Sequence, residues 1–459
     1  MDIEQPVHFI GIGGSGMFPL ASLLHGRGIA IQGSDKQYSS EIRHLKEKGL
    51  KIFSSHQQSN LKDVKTVIYS TAISDQNPEI IRAKELGINI LHRSDLLKLI
   101  SLDYKPIFVA GSHGKTSTAA ILAHILKSSN YDPCAVIGGK LLNYGSYHLN
   151  GNGEYFIAEA DESDGTFLKY QSFLSITTNV DHDHLDHYGT FESLKNAFAK
   201  FISNTNVEDG CRIIGWDSAP LRDIGHQLGD FTSFGKVIGC HNRIINVKYE
   251  SNVTKFQLVL GKNIAEFQTS LIGLHNVFNC LAAISAAVDI GVTHEDIEVA
   301  LKSYKGVGRR LEIFFENPNY TLINDYAHNP GKIRSAISAV RSSYPNSCIT
   351  AVFQPHRYSR LTTMYDLFAE SFCESTTTIV LPIYSAGEEP VENINHVKLA
   401  RDISDLSNIP TTSINGFNEI YKSLNMKPSA HNVILLLGAG DIGVACDLLV
   451  EQLRCSKNY

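Results

Sequence analysis

Residues 107–118 read Ile-Phe-Val-Ala-Gly-Ser-His-Gly-Lys-Thr-Ser-Thr, and this stretch constrains the fold more than any other. Ile107, Phe108, Val109 and Ala110 make an apolar run of buried-strand length. Ala119, Ala120, Ile121, Leu122, Ile125 and Leu126 then recur at helical spacing. Between them lie a glycine loop, Gly111-Ser112-His113-Gly114, and the pair Lys115-Thr116. Strand, glycine loop, Lys-Thr and helix is the layout of a phosphate-binding loop. Glycines let backbone N–H groups curl around an anion, and the helix start adds the positive end of its dipole. Lys115 then reaches the β- and γ-phosphates, and Thr116 offers its hydroxyl to Mg²⁺. The loop is a short variant, because Val109 stands where the general pattern has its first glycine. The plain alternative is a strand-to-helix turn carrying a surface lysine.

A chain of 459 residues exceeds one core and predicts several domains. Its 43% hydrophobic and 19% charged residues are those of a soluble globular protein. No apolar run has the length of a membrane span. The short acidic start before Val7 does not read as a signal peptide. The eight cysteines are scattered without a C-x-x-C pair, as in reduced cytosolic proteins, so a cytoplasmic location is expected. A net charge of −6 gives no electrostatic case for nucleic acid.

Near the N-terminus, Val7-His-Phe-Ile reads as a strand and Leu20, Leu23 and Leu24 as one face of a helix. Between them Gly11, Gly13, Gly14 and Gly16 supply a G-x-G-x-x-G fingerprint. A second strand, 29–32, is expected to end at Gly33-Ser34-Asp35, where an acidic residue usually meets a ribose. The fingerprint reports a pyrophosphate, and NAD or a UDP-sugar satisfies it equally. Further strands are expected at 66–73 and 88–91, which makes a small parallel sheet.

The central region has a strand ending at Glu159, followed by Asp161, Glu162 and Asp164. Hard oxygen ligands after a phosphate loop suit Mg²⁺, and Glu159 is the expected ligand. The other three acids either line the substrate or are solvated. Residues 181–187 then pack three aspartates and three histidines into seven positions. Zinc and a histidine-bound second Mg²⁺ are both compatible with that composition. Asn276 and Asn279 share a face at a helix start, where they meet an adenine edge or simply cap the helix.

Beyond a cationic hinge at Arg309-Arg310, strands at 321–327, 348–355, 378–382 and 433–440 alternate with helical segments, which predicts a doubly wound domain. Their ends carry Asp325, Tyr326, His328, His356, Arg357 and Arg360, and arginine forks match carboxylates. Residues 438–443 resemble a second anion turn.

The ordered set of 8–17, 111–116, 159–167, 178–186, 275–279, 308–310, 325–328 and 353–360 closely resembles the Mur ligases, above all their alanine-adding branch. The resemblance implies an α/β fold of three domains. These are a Rossmann-like UDP-sugar domain (1–104), a central P-loop ATPase domain with a mostly parallel sheet (105–307) and a C-terminal Rossmann-like, doubly wound domain (308–459). It implies ATP and Mg²⁺ as cofactors, UDP-N-acetylmuramate and L-alanine as substrates in peptidoglycan precursor synthesis, and a monomer or homodimer. ATP is then held by Gly111, Ser112, His113, Gly114, Lys115, Thr116, Ser117, Asn276, Asn279, Arg309 and Asp325. The metal takes Thr116, Glu159 and His184. The UDP-sugar takes Gly11, Gly13, Gly14, Gly16, Ser34 and Asp35, and the amino acid takes Tyr326, His356, Arg357 and Arg360. Lys115, His184, His328 and Arg357 carry the chemistry. This chain departs from the branch at 327–332, where Asn329 replaces a histidine and Lys332 an acid. Tripeptide-recycling members tend to have tyrosine at the position of Ser163. A nicotinamide-dependent dehydrogenase is the rival from another class, and it leaves Lys115, Thr116 and the Asp/His run without a task.

Overall fold

The computed structural model describes residues 3–37, 39–250, 253–427 and 430–455, without the side chains of Asp186 and Cys455. Three sheets follow one another along the chain. The first contains β1 (Val7–Ile10), β2 (Ile31–Ser34), β3 (Lys51–Phe53), β4 (Thr66–Tyr69) and β5 (Asn89–His92), in the order β3-β2-β1-β4-β5. Every pairing in it is parallel. The order reverses between β1 and β4, and a crevice at such a switch point is where these sheets bind ligands. The expected strand 29–32 starts later. The Ile29 N–H bonds back to Leu24, and the Ala30 N–H is taken by the Gln5 side chain at 2.8 Å, so neither joins the ladder. The strand expected over 66–73 ends at Tyr69, because Ile73 folds back to bond Ser70.

The central sheet adds β6 (Lys105–Ala110), β7 (Cys134–Leu141), β8 (Ser146–Asn150), β9 (Tyr155–Glu159), β10 (Leu174–Thr177), β11 (Cys211–Gly215), β12 (Thr232–Gly235), β13 (Asn242–Glu250), β14 (Val253–Leu260) and β15 (Asn263–Thr269). Their order is β15-β14-β13-β12-β11-β10-β6-β9-β7-β8. The sheet is mixed. β6 lies between β10 and β9, parallel to both, while β7 and β8 form an antiparallel hairpin. The helix Lys115–Ser128 buries an unbroken run from Thr118 to Leu126, as a helix inside an α/β layer must.

The third sheet has β16 (Glu312–Glu316), β17 (Tyr320–Asp325), β18 (Cys348–Phe353), β19 (Thr377–Val380), β20 (Thr411–Ser413) and β21 (Asn432–Leu437), in the order β16-β17-β21-β18-β19-β20. Only β16 is antiparallel to its neighbour. All six residues of β21 are buried, and apolar clusters cover both faces of the sheet, as doubly wound strands require. Contacts divide the chain into two compact units. One holds Met1–Asn246, Phe256–Gln268 and Phe278–Lys305; the other holds Val247–Lys255, Thr269–Val277 and Gly306–Tyr459. No helix of the described residues is long and apolar enough to cross a membrane. Cys134, Cys211, Cys240, Cys280, Cys348, Cys373 and Cys446 are free thiols; Cys455 lies outside the described side chains.

A polar cluster centred on Glu79 sits inside the first sheet's core. Glu79 is fully buried; it accepts hydrogen bonds from Ser34 at 2.6 Å and Asn60 at 2.7 Å, and lies 3.3 Å from the buried His8. Burial pushes its carboxyl up, but the hydrogen bond and charge of His8, with Ser34 and Asn60, outweigh burial and hold it below the usual carboxylate range. A depressed carboxyl stabilises the fold above its unfolded pKa, and that contribution is lost as pH falls through the folded value. We expect Glu79→Ala to lower the unfolding free energy by about 3–5 kcal/mol in urea titrations at pH 7, since it strands His8, Ser34 and Asn60. The difference from wild type should shrink below about pH 4; a pH-independent difference would exclude an ionised Glu79.

Candidate active site

The phosphate loop leaves β6 with Gly111 at φ +132° and closes at Gly114 with φ +86°, conformations that side chains rarely adopt. A Cβ on Gly111 would meet Thr178 Oγ1 at 2.1 Å, and one on Gly114 would meet Asn279 Oδ1 at 2.5 Å. The loop is therefore braced from outside. Thr178 Oγ1 donates to the His113 carbonyl at 2.6 Å, Asn179 Oδ1 accepts from the His113 N–H at 2.9 Å, and the Asp181 N–H donates to Ser112 Oγ at 2.9 Å. Thr178 and Asn179 follow β10, the parallel neighbour of β6, so strand adjacency brings them there.

Lys115 extends back across this loop. Its Nζ donates to the Gly111 carbonyl at 2.7 Å and to both carboxylate oxygens of Glu162 at 2.8 Å. Glu162 is 1% exposed, so it is neither solvated nor at a surface. Burial pushes its carboxyl up and Lys115 opposes the shift. Thr116 Oγ1 donates to Glu159 at 2.7 Å, and the other Glu159 oxygen accepts the Gly138 N–H at 2.7 Å. His184 sits at φ +54° with Nε2 3.8 Å from Glu162 and 3.8 Å from Asp183. The Tyr188 hydroxyl donates to the Glu162 carbonyl at 2.6 Å. The structure therefore brings Lys115, Thr116, Glu159, Glu162 and His184 together. Among the described residues no three His, Cys, Asp or Glu side chains assemble as a metal cage. A hydroxyl and one carboxylate at the loop suit Mg²⁺, which takes few protein ligands and relies on phosphate and water for the rest.

In the first sheet the glycine turn follows β1 as expected, but its donors are partly engaged. The N–H groups of Gly11 and Ile12 bond the Ser34 carbonyl at 2.8 and 3.1 Å, and that of Gly13 bonds Asp35 Oδ2 at 2.9 Å. Asp35 also accepts the Gln37 N–H at 2.9 Å, so its carboxylate closes the turn. Ser34 was expected at the ligand; instead its side chain is fully buried and bonded to Glu79. Gly33 and Ser34 are both buried at the end of β2.

In the second unit the polar residues gather where β17, β18 and β21 end. Ring centroids run from Tyr326 to His328 at 5.1 Å, His328 to His356 at 6.3 Å and His356 to Tyr384 at 5.4 Å. Arg360 Nη1 lies 3.1 Å from His356 Nδ1, and Arg357 is exposed at φ +70°. Burial lowers His328 to about 3 and His356 to about 4, so both rings are neutral near pH 7. Asp325 accepts the N–H groups of Leu311 at 2.8 Å and Ala327 at 2.7 Å and pins the 309–311 turn. Asn329 caps the helix Pro330–Ser343 by accepting the Lys332 N–H, which gives the departure at 329 a structural task.

Two expectations fail here. The Arg309 guanidinium donates to the carbonyls of Gly438 at 2.7 Å and Gly440 at 3.0 Å, so it is anchored inside its own unit. The turn 438–443 accordingly presents carbonyls to a cation and is not an anion turn. Among the described residues no hydrogen bond of this kind holds the Arg310 guanidinium, which lies 5.4 Å over the Tyr326 ring. Asn276 and Asn279 are both buried. Asn276 donates to Ile272 at 2.8 Å, while Asn279 accepts from Thr118 at 3.4 Å behind the phosphate loop. Sequence reasoning missed Glu162 as the partner of Lys115 and the tasks of Thr178 and Asn179 as braces, while Tyr384 lies at a strand end already expected to carry ligand-site residues. Position after a strand neighbouring the loop was the available signal for the braces.

The chain matches the catalytic-domain model of the Mur ligase family over residues 6–105, the Mur ligase middle domain over 109–287 and the Mur ligase glutamate ligase domain over 309–440. It is 37% identical over 450 residues to a UDP-N-acetylmuramate–L-alanine ligase of Desulforapulum autotrophicum, covering 97% of this chain and 98% of that protein. It is 38% identical over 450 residues to one from Sulfurihydrogenibium, with 98% of each chain covered. The crystal structure of a UDP-N-acetylmuramate–alanine ligase from Thermotoga maritima superposes with a TM-score of 0.84 at 29% identity, covering 98% of this chain and 99% of that one. Family models span all three sheets and relatives align over nearly the full length, so this chain belongs to the Mur ligase family.

Proposed function

We propose that this chain joins L-alanine to the lactyl carboxylate of UDP-N-acetylmuramate, with cleavage of ATP to ADP and phosphate, in peptidoglycan precursor synthesis. The observation that supports this most is the identity to alanine-adding ligases over nearly the full length of both chains. A carboxylate oxygen attacks the γ-phosphorus, ADP leaves, and an acyl phosphate forms. The alanine amine, having lost a proton, attacks the acyl carbon; the amide forms and inorganic phosphate departs. The proposed domains are 1–104, 105–307 and 308–459, and the spans of the three family models support them.

The residues suit these tasks. Gly111, Ser112, His113, Gly114 and Ser117 line the loop, and Lys115 exchanges Glu162 for phosphate oxygens. Thr116 and Glu159, with His184, would hold Mg²⁺, which when bound neutralises phosphate charge. In the second unit the Arg310 guanidinium, unlike the anchored Arg309, is left to meet an anionic oxygen. Arg357 and Arg360 grip the amino-acid carboxylate. Neutral His328 and His356, beside Tyr326, add no positive charge of their own near the amine. Fixed cations and dipoles of this kind supply most of the help an enzyme gives phosphoryl transfer.

ADP release should require UDP-N-acetylmuramate and be fastest with L-alanine among amino acids; release with murein tripeptide alone would assign the recycling reaction instead. Lys115→Ala should lower ADP formation by roughly a thousandfold while UDP-N-acetylmuramate still binds. Because that change strands Glu162, Lys115→Ala/Glu162→Gln should be equally inactive but more stable; recovered turnover in the double variant would remove Lys115 from the chemistry. Arg357→Ala should raise the KM for alanine about tenfold to a hundredfold and leave the KM for ATP within about twofold. Equal losses would contradict the assignment.

A further inference from the structure

Arg93 is the first residue of the helix Arg93–Ser101, and a cation there opposes the positive end of the helix dipole. The local offset is Asp95 in the first turn, which closes a capping box with His92. The guanidinium crosses to other elements. Its Nη1 lies 3.1 Å from where a Cβ of Gly16 would stand, so it covers the last glycine of the turn after β1. Its Nη2 lies 3.4 Å from Asp161 and 3.4 Å from Asp164. Asp164 also accepts the Thr71 hydroxyl at 2.7 Å, and Thr71 belongs to the loop after β4. Arg93 ties the turn after β1 to the acidic segment after β9, and Asp164 ties that segment to the loop after β4.

That segment carries Glu159, bonded to Thr116, and Glu162, bonded to Lys115. In the glycine turn, the N–H groups of Gly11, Ile12, Gly13 and Gly14 all have acceptors within the fold. Among the described backbone hydrogen bonds none uses the N–H of Ser15 or Gly16. The donors that remain to meet an anion thus lie at the end of the turn that Arg93 covers. At 3.4 Å, neither carboxylate contact reaches the 2.7–2.9 Å typical of a tight charge-assisted bond, so the fork has capacity for an added oxyanion.

We propose that Arg93 is a positioning residue shared between the substrate diphosphate and Asp161/Asp164, so that binding of the sugar nucleotide fixes the segment that holds Thr116 and Lys115. This deepens the proposed function and rests on it. The diphosphate seats on the Ser15 and Gly16 N–H groups and one edge of the guanidinium. The other edge stays on Asp164 and restrains residues 159–164. Sugar nucleotide and ATP then favour each other's binding, by the same factor in both directions.

The test is calorimetric titration of the full chain, with magnesium, using UDP-N-acetylmuramate and a non-hydrolysable β,γ-imido ATP analogue, each alone and each after the other. In the wild type, either ligand should tighten the other. Arg93→Ala should weaken the sugar nucleotide about tenfold or more and abolish the mutual tightening, while the analogue alone binds as to wild type. Asp164→Asn should keep sugar-nucleotide affinity within about threefold and lose most of the tightening, an outcome that general loosening of the fold does not produce. Arg93→Lys, which keeps the charge and removes the fork, should fall between wild type and alanine. Wild-type affinity in Arg93→Ala, or tightening that survives in it, overturns the assignment. A wild-type chain that binds neither nucleotide overturns the proposed function itself.

Discussion

Everything at the phosphate loop depends on one ion pair. Lys115 must hold a positive charge inside a loop built to attract anions, and Glu162 keeps that charge in place at 2.8 Å with almost no contact with water. A buried pair of this sort contributes little net stability, because desolvation offsets most of its attraction. Its value lies in geometry. The lysine is already extended, mostly buried and aimed along the loop, so arriving phosphate replaces a carboxylate and little reorganisation remains. The strict glycines follow from the backbone path, since the loop must pass within contact of Thr178 and Asn279.

The chemistry asks a second thing of the chain, that acids and phosphates be gathered without the protein adding negative charge of its own. The first unit handles this by engaging its carboxylates. Glu162 faces Lys115, Glu159 faces Thr116 and Gly138, and Asp161 and Asp164 face Arg93. The second unit relies on arginines and on histidines kept neutral by burial. A neutral imidazole beside Arg360 leaves the guanidinium to dominate carboxylate recognition.

Much of this was legible in the order of residues. The loop, the three successive sheets and the acids after β9 all declare themselves through short-range pattern, with strand, turn and helix in the sequence the motif requires. What was not legible depends on residues far apart. Ser34 looks like a ligand contact until Glu79, 45 positions on, takes its hydroxyl into the core. Arg309 looks like a phosphate cation until Gly438, 129 positions on, takes its guanidinium. Glu162 looks solvated until the fold closes over it and brings Lys115, 47 positions away. In each case a polar residue acquires its role from a tertiary partner that no local window contains, and strand ends were misjudged where side chains such as Gln5 take up backbone donors.

The inert sugar carboxylate has to be activated by taking the γ-phosphoryl group. Oxygen tracing decides that directly. With both lactyl carboxylate oxygens of UDP-N-acetylmuramate labelled with oxygen-18, turnover with ATP and L-alanine should release inorganic phosphate carrying one labelled oxygen and leave the other in the amide carbonyl. Phosphate free of label, with both heavy oxygens still on the sugar or lost to water, would contradict it.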